Sequence, residues 1–254
     1  MPNGRASHQP GYSSKIHPAT TRLSSGASAR LALDWQGMKA HLPNHPTQLY
    51  LIRHGEVEHR YHKVFGGCRI DMSLSPLGHE QAAALVQWMK DSKLDAIYAS
   101  PMIRVQQTIA PLVAASGLQP IVMEDLREVD FGDWTGLKWD GVLEKFGISA
   151  FDWLEVLEGP GIIGGESAGA LLARVVPCVR QILHDNPHRS VAIACHGGII
   201  RVILAALLEM RLAQMAHFNI EYGSVTVVKI QPEKKHAVEI DLLNLCPLRD
   251  GLRP

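Results

Sequence analysis

Two short apolar runs, Leu49–Ile52 and Val191–Ala194, each break at a histidine followed by glycine, giving Arg53-His54-Gly55 and Cys195-His196-Gly197-Gly198. Apolar runs this short, without polar alternation, read as strands covered on both faces. The glycine after each histidine permits a tight strand-to-helix turn and lets backbone approach a ligand closely. Two more short runs, Asp95–Ala99 and Pro120–Met123, lie between segments of helical period. Strands alternating with helices in this way predict an α/β fold: a mostly parallel central sheet with helices on both faces, in three α/β/α layers.

The helices are marked by their starts. Ser75-Pro76 reads as an N-cap followed by proline in the first turn, opening a helix with Leu77, Ala84, Leu85, Trp88 and Met89 on its apolar face. Ser100-Pro101 repeats the pattern and predicts a helix to about Ser116, with Gly117 at its end and Arg104 in its first turn. Residues 131–165 read as irregular, with short helices and many aromatic rings. A long helix follows Gly164-Gly165, with Leu171, Leu172, Val175, Val176, Val179, Ile182 and Leu183 on one face. A strongly apolar helix runs from Ile199 to Leu208. Val225–Ile230 and Ala237–Leu243 read as two edge strands, and no internal repeat is present.

The formal net charge is zero across 254 residues, so nothing calls for nucleic acid or an anionic membrane as partner. Binding of an anion must rest on a local cluster of cations. Four cysteines, Cys68, Cys178, Cys195 and Cys246, form no C-x-x-C pair and no metal-ligand spacing. Cys178 and Cys195 are expected as small buried residues, and a reducing cytoplasm as the compartment. No apolar run reaches the ~20 residues of a membrane span. Residues 1–46 differ from the rest: Arg5, Lys15, Arg22 and Arg30 occur before any acidic residue, and no apolar period is present. They are expected to be a disordered extension, or a misassigned start with Met38 opening the lead into the first strand, rather than a targeting segment. The catalytic domain is then 47–254.

In open α/β sheets ligands bind beyond the carboxyl ends of strands. Arg53, His54 and His196 stand at two such ends and Arg104 follows a third. The helix after His196 would add its N-terminus, which favours anions. Together these make a phosphate-sized cationic pocket in a chain of zero net charge.

The motifs extend further. Leu51-Ile52-Arg53-His54-Gly55-Glu56, then Ser100-Pro101 with Arg104 and Gln107-Thr108, then Leu126-Arg127-Glu128 with Phe131-Gly132-Asp133-Trp134, then Gly164-Gly165-Glu166-Ser167, and finally His196-Gly197-Gly198 occur in one order between residue 49 and about 245. The chain thereby resembles the histidine phosphatase superfamily, the phosphoglycerate-mutase-like group, and within it the phosphatase branch that includes α-ribazole and broad-specificity sugar phosphatases. The resemblance implies that His54 attacks phosphorus and carries the phosphoryl group. Arg53, Arg104 and His196 would hold the phosphate oxygens, and Glu128 would be the general acid and base. Such roles suit phosphoryl transfer, which needs positioning and charge neutralisation above all. No cofactor is expected, and no H-E-x-x-H or Asp cluster suggests a metal.

Departures from the family pattern bear on substrate. Val57 stands where Thr or Ser is frequent, and Arg60 falls near a phosphate-touching Asn, so Arg60 is a candidate for phosphate or a second anionic group. The loop around Cys68–Ile70 is slightly long. The span from Glu128 to His196 is short for a mutase, which favours a phosphomonoester hydrolase acting on a small phosphorylated metabolite. A phosphoglycerate-mutase-type transferase is the alternative within the family, and a non-catalytic phospho-ligand-binding module the alternative outside enzymes. The expected partner is a small-molecule phosphomonoester, with homodimerisation left open. The segment at about 131–165 is expected to cross the pocket mouth as a lid. Its rings Trp134, Trp139, Phe146, Phe151 and Trp153 either pack it down or, at Trp139 and Trp153 above all, line the site.

Overall fold

A computed structural model describes residue 42 and residues 45–251. The expectations for the N-terminal extension and for Met38 lie outside the described residues.

Six strands form one sheet: β1 (Thr47–Arg53), β2 (Ala96–Ala99), β3 (Ile121–Val122), β4 (Ser190–Cys195), β5 (Val225–Ile230) and β6 (Val238–Leu245). Their order is β3-β2-β4-β1-β5-β6. β1, β2, β3 and β4 run parallel, with Arg53 opposite Cys195 and Ala99 opposite Ala194, so the carboxyl ends of β1, β2 and β4 are level. β5 joins β1 antiparallel, and β6 joins β5 antiparallel.

Alternation along the strands divides the core between two faces. Leu49, Leu51, Val191 and Ile193 pack with α5 (Ala168–Asp185) and α6 (Gly197–Leu208). Tyr50, Ile52, Ala192 and Ala194 pack with α1 (Pro76–Met89) and α2 (Ile103–Ser116). This is the expected three-layer α/β/α arrangement. All seven predicted apolar positions of α5 are buried, and Ser167 caps that helix by accepting from Ala170 N–H. Between the faces, at the carboxyl ends, residues 124–158 make short 3-10 turns and two short helices, α3 (Trp139–Phe146) and α4 (Trp153–Glu158). The short α7 (Pro247–Asp250) closes the described chain. Among the described residues no helix is long and apolar enough to cross a membrane.

Three local expectations fail. Ser75 caps α1 as predicted, but Leu77 is 41% exposed and Ala82 takes its place in the core. Ser100-Pro101 does not open α2. The helix starts at Ile103, with Asp71 accepting from Ile103 N–H at 2.9 Å, because the Ser100 hydroxyl is taken by His196. β5 is not an edge strand: it lies between β1 and β6 and is buried at Val225, Thr226, Val227, Val228 and Ile230. The second edge is β3, whose two residues are half exposed.

Candidate active site

The site is built where β1, β2 and β4 end. His54 follows β1 directly. Its backbone N–H donates to Cys195 O at 3.1 Å and its carbonyl accepts from Gly223 N–H at 2.9 Å, which fixes its backbone on both sides. His54 Nδ1 lies 2.8 Å from Gly55 O. A carbonyl oxygen can only accept, so Nδ1 carries the proton and Nε2 presents its lone pair. Arg104 Nε–H points to that lone pair at 3.2 Å, and also to His196 Nδ1 at 3.2 Å. His196 Nε2–H therefore donates to Ser100 Oγ, 2.8 Å away. Two imidazoles, with ring centroids 5.2 Å apart, thus face one guanidinium N–H with opposite tautomers.

Both rings are buried, and both are held well below the ordinary histidine pKa. For His54 the causes are loss of hydration, then the charges of Arg104 and Arg53. For His196 they are loss of hydration, then Arg104, with His54 and Arg53 adding less. Each ring is therefore neutral, the form in which nitrogen is a nucleophile or a lone-pair acceptor.

Arg104 is 3% exposed, and among the described residues no carboxylate is in hydrogen-bond contact with it. Its Nη atoms donate to Gly67 O at 3.0 Å and Ile70 O at 3.2 Å. The loop around Cys68–Ile70 thus serves to hold this guanidinium. Arg53 lies with its guanidinium carbon 4.0 Å from the centre of the Tyr222 ring, and that ring is 5.4 Å from His54.

Glu128 comes from the loop before α3 and meets the start of α6. Its Oε2 accepts from Gly198 N–H at 3.3 Å and its Oε1 from Val129 N–H at 3.0 Å. A Cβ on Gly198 would come within 2.4 Å of Glu128 Oε1, and one on Gly197 within 3.2 Å of Arg53 Nε. The two glycines are there because the carboxylate and the arginine pass so close. Behind Glu128, Arg174 of α5 forks onto Glu166 at 2.7 and 2.9 Å and donates to the carbonyls of Asp125, Arg127 and Glu128. Glu166 also accepts from Asp130 N–H at 2.9 Å. The backbone that presents Glu128 is thereby clamped along its length.

Of the residues singled out from the sequence, Arg53, His54, Arg104, Glu128 and His196 come together. Arg60 does not. It lies on an exposed turn, paired with Glu58 Oε2 and stacked on Tyr61, outside the cavity. Its neighbour Glu58 neutralises it, so the expected extra anion contact is withdrawn. Val57 is buried and bridges to Leu74. Of the five rings in 131–165, Trp134 is buried and Phe146 packs against it. Trp139, Phe151 and Trp153 line the cavity, whose volume is about 620 Å3.

Sequence reasoning missed Ser100 as a histidine partner, Tyr222, and the Arg174–Glu166 clamp. The clamp had a signal: Arg174 lies eight residues, about two turns, beyond Glu166 at the start of an amphipathic helix. Tyr222 had none.

The sequence profile of the histidine phosphatase superfamily (branch 1) matches residues 49–242. The chain is 27% identical over 196 residues to phosphoserine phosphatase 1 of Hydrogenobacter thermophilus, covering 77% of this chain and 92% of that one. It is 31% identical over 193 residues to a 2,3-bisphosphoglycerate-dependent phosphoglycerate mutase of Methylorubrum populi, covering 73% and 90%. A mycobacterial glucosyl-3-phosphoglycerate phosphatase superposes with a TM-score of 0.70 at 26% identity, over 78% of this chain and 99% of that one.

Proposed function

This chain belongs to the histidine phosphatase superfamily (branch 1), and from that premise we propose that it is a phosphomonoester hydrolase working through a phosphohistidine on His54. The observation that carries the reading is the His54 Nε2 lone pair, aimed where Arg104, His196 and the start of α6 meet. A phosphate bound there would receive Arg104 Nε–H and the charge of Arg53. Nε2 forms the P–N bond as the ester P–O bond breaks. Glu128, as the acid, gives its proton to the departing oxygen. Its carboxylate then takes a proton from water, whose oxygen displaces Nε2 and releases phosphate.

Mutase chemistry uses the same first half. The mutase relative aligns over 90% of its own length, so the short span between Glu128 and His196 does not separate the two activities. The cavity wall supplied by residues 131–165 favours hydrolysis: it holds rings, Ala150, Leu154 and Asp152 and no cation, while Lys63 and Arg201 line the cavity from elsewhere. A mutase substrate carries a further anionic group that must be retained while the phosphate returns.

Release of phosphate from p-nitrophenyl phosphate tests the reading, with His54→Ala as the control. The variant should lose turnover and acid-labile phosphate labelling together. Retained label in His54→Ala, or phosphoglycerate interconversion faster than phosphate release, would overturn it.

A further inference from the structure

We propose that Tyr222 is a positioning residue for the phosphate grip: its ring face holds the Arg53 guanidinium beside His54 without a counter-charge. The inference rests on the reading of this site as one that takes up a phosphate group, and it applies to hydrolase and mutase chemistry alike.

Arg53 must meet two conflicting demands. A guanidinium that stabilises a phosphoryl group has to stand in place before the group arrives, so that no reorganisation falls on the reaction itself. It must also keep its charge free for the anion. A carboxylate partner meets the first demand and defeats the second, because it would compete with phosphate for the same donors. Elsewhere in the chain that is the arrangement: Arg69, Arg174, Arg211 and Arg249 each meet a carboxylate oxygen at 2.6–2.9 Å.

Arg53 is held differently. Its Nη1 donates to Ile220 O at 2.5 Å, and its guanidinium carbon lies 4.0 Å from the centre of the Tyr222 ring. Its Nε is buried and has no hydrogen-bond partner among the described residues, and no carboxylate among them pairs with it. A carbonyl and a π face attract a cation through partial charges, so the full charge stays available to an anion.

Tyr222 is itself braced on both sides. Before it, Glu221 N–H donates to Asn244 Oδ1 at 2.6 Å, and Arg201 of α6 holds Phe218 O at 3.0 Å. After it, Gly223 N–H donates to His54 O at 2.9 Å, and Ser224 O accepts from Arg53 N–H at 3.0 Å. The turn that carries the ring is thus bonded to the backbone of the two residues the ring touches, Arg53 and, at 5.4 Å between centres, His54. Both contacts are made by the ring, which also lines the cavity, so the role asks for an aromatic face and not for a hydroxyl.

The test compares Tyr222→Leu, which keeps apolar bulk and loses the π face, with Tyr222→Phe, which keeps the face. Calorimetry measures the Kd of inorganic phosphate, and kcat/KM is measured for p-nitrophenyl phosphate and glycerol 3-phosphate. Tyr222→Leu should weaken phosphate by about tenfold and lower kcat/KM on both esters by one common factor, because Arg53 serves the phosphate and not the leaving group. Tyr222→Phe should recover each quantity to within about twofold of the wild type. In an Arg53→Ala background, Tyr222→Leu should lower kcat/KM by less than about twofold more. A Phe variant as damaged as the Leu variant overturns the proposal in favour of the hydroxyl. Unequal losses on the two esters with phosphate affinity unchanged overturn it in favour of a leaving-group contact. A full loss in the Arg53→Ala background, or a lowered melting temperature with wild-type phosphate affinity, overturns it in favour of packing alone. If the wild type fails to hydrolyse p-nitrophenyl phosphate while its phosphate affinity still follows the ring, the hydrolase reading falls and this inference stands.

Discussion

Replacing Gly198 by alanine adds one methyl group to the helix start that Glu128 touches. The new Cβ would stand 2.4 Å from Glu128 Oε1 and 2.9 Å from Val129 Cγ2. Ordinary van der Waals contact begins near 3.4 Å, so the carboxylate must retreat by about 1 Å, a displacement that can cost roughly a hundredfold in rate. The three atoms nearest this methyl belong to Glu128 and Val129, not to His54, Arg104 or His196. Alanine is worth about 1 kcal/mol more than glycine inside a helix, whereas crowding Val129 costs about 1–3 kcal/mol. The two partly cancel, and the melting temperature should move by only a few degrees. The assay compares an alkyl phosphate, whose leaving oxygen needs a proton, with p-nitrophenyl phosphate, whose leaving group does not. Gly198→Ala should slow the first by about a hundredfold and the second by less than tenfold. Equal losses on both, or no loss on either, would refute the placing of Glu128 as the proton donor.

The two buried histidines set a pH dependence of stability. Their pKa values in the folded protein are lowered by burial and by Arg104, so stability is full above the unfolded value near 6.5 and falls as pH drops toward the folded values. The loss reaches up to about 1.4 kcal/mol per pH unit for each ring. Urea unfolding between pH 7.5 and 5.5 should show this slope, and His54→Ala should remove one ring's share; identical slopes in the two proteins would refute it. Arg174→Ala leaves Glu166 unpaired and frees the carbonyls around Glu128. It should cost about 2 kcal/mol in urea unfolding and lower kcat with it, and Arg174→Lys, lacking the fork, should recover little. An unchanged unfolding midpoint in Arg174→Ala would count against the clamp.

The parts of this architecture that were legible in the sequence are those set by local pattern. Apolar runs ending in His54 and His196 placed both rings at strand ends, and the period of α5 placed all seven of its predicted core positions. Failures came where a distant partner overrode a local rule. Ser75-Pro76 and Ser100-Pro101 are the same dipeptide, yet one caps a helix and the other hydrogen-bonds a histidine 96 residues away. Arg60 looked like a spare cation because nothing in its spacing revealed that Glu58 reaches its guanidinium. β5, read as an edge strand, is interior because β6 pairs along its free side. Its β-branched stretch Val225-Thr226-Val227-Val228 carries no charge on either face, as suits burial on both. Tyr222 sits in a turn with no periodicity, and only the tertiary path brings it under Arg53.

The strand order also governs when the catalytic centre can exist. β4 lies between β1 and β2 and is made from residues 190–195, after more than two thirds of the chain. Until it arrives, β1 and β2 share no hydrogen bonds, and Arg104 and His54 are tied only through Gly55 N–H on Thr108, without His196 to complete the pair of rings. During synthesis residues 190–198 must therefore have left the ribosome before the complete site can form. An N-terminal fragment ending before Ser190, however well its helices form, would be blind to phosphate. Regained turnover after refolding would then time the insertion of one central strand rather than the collapse of the chain.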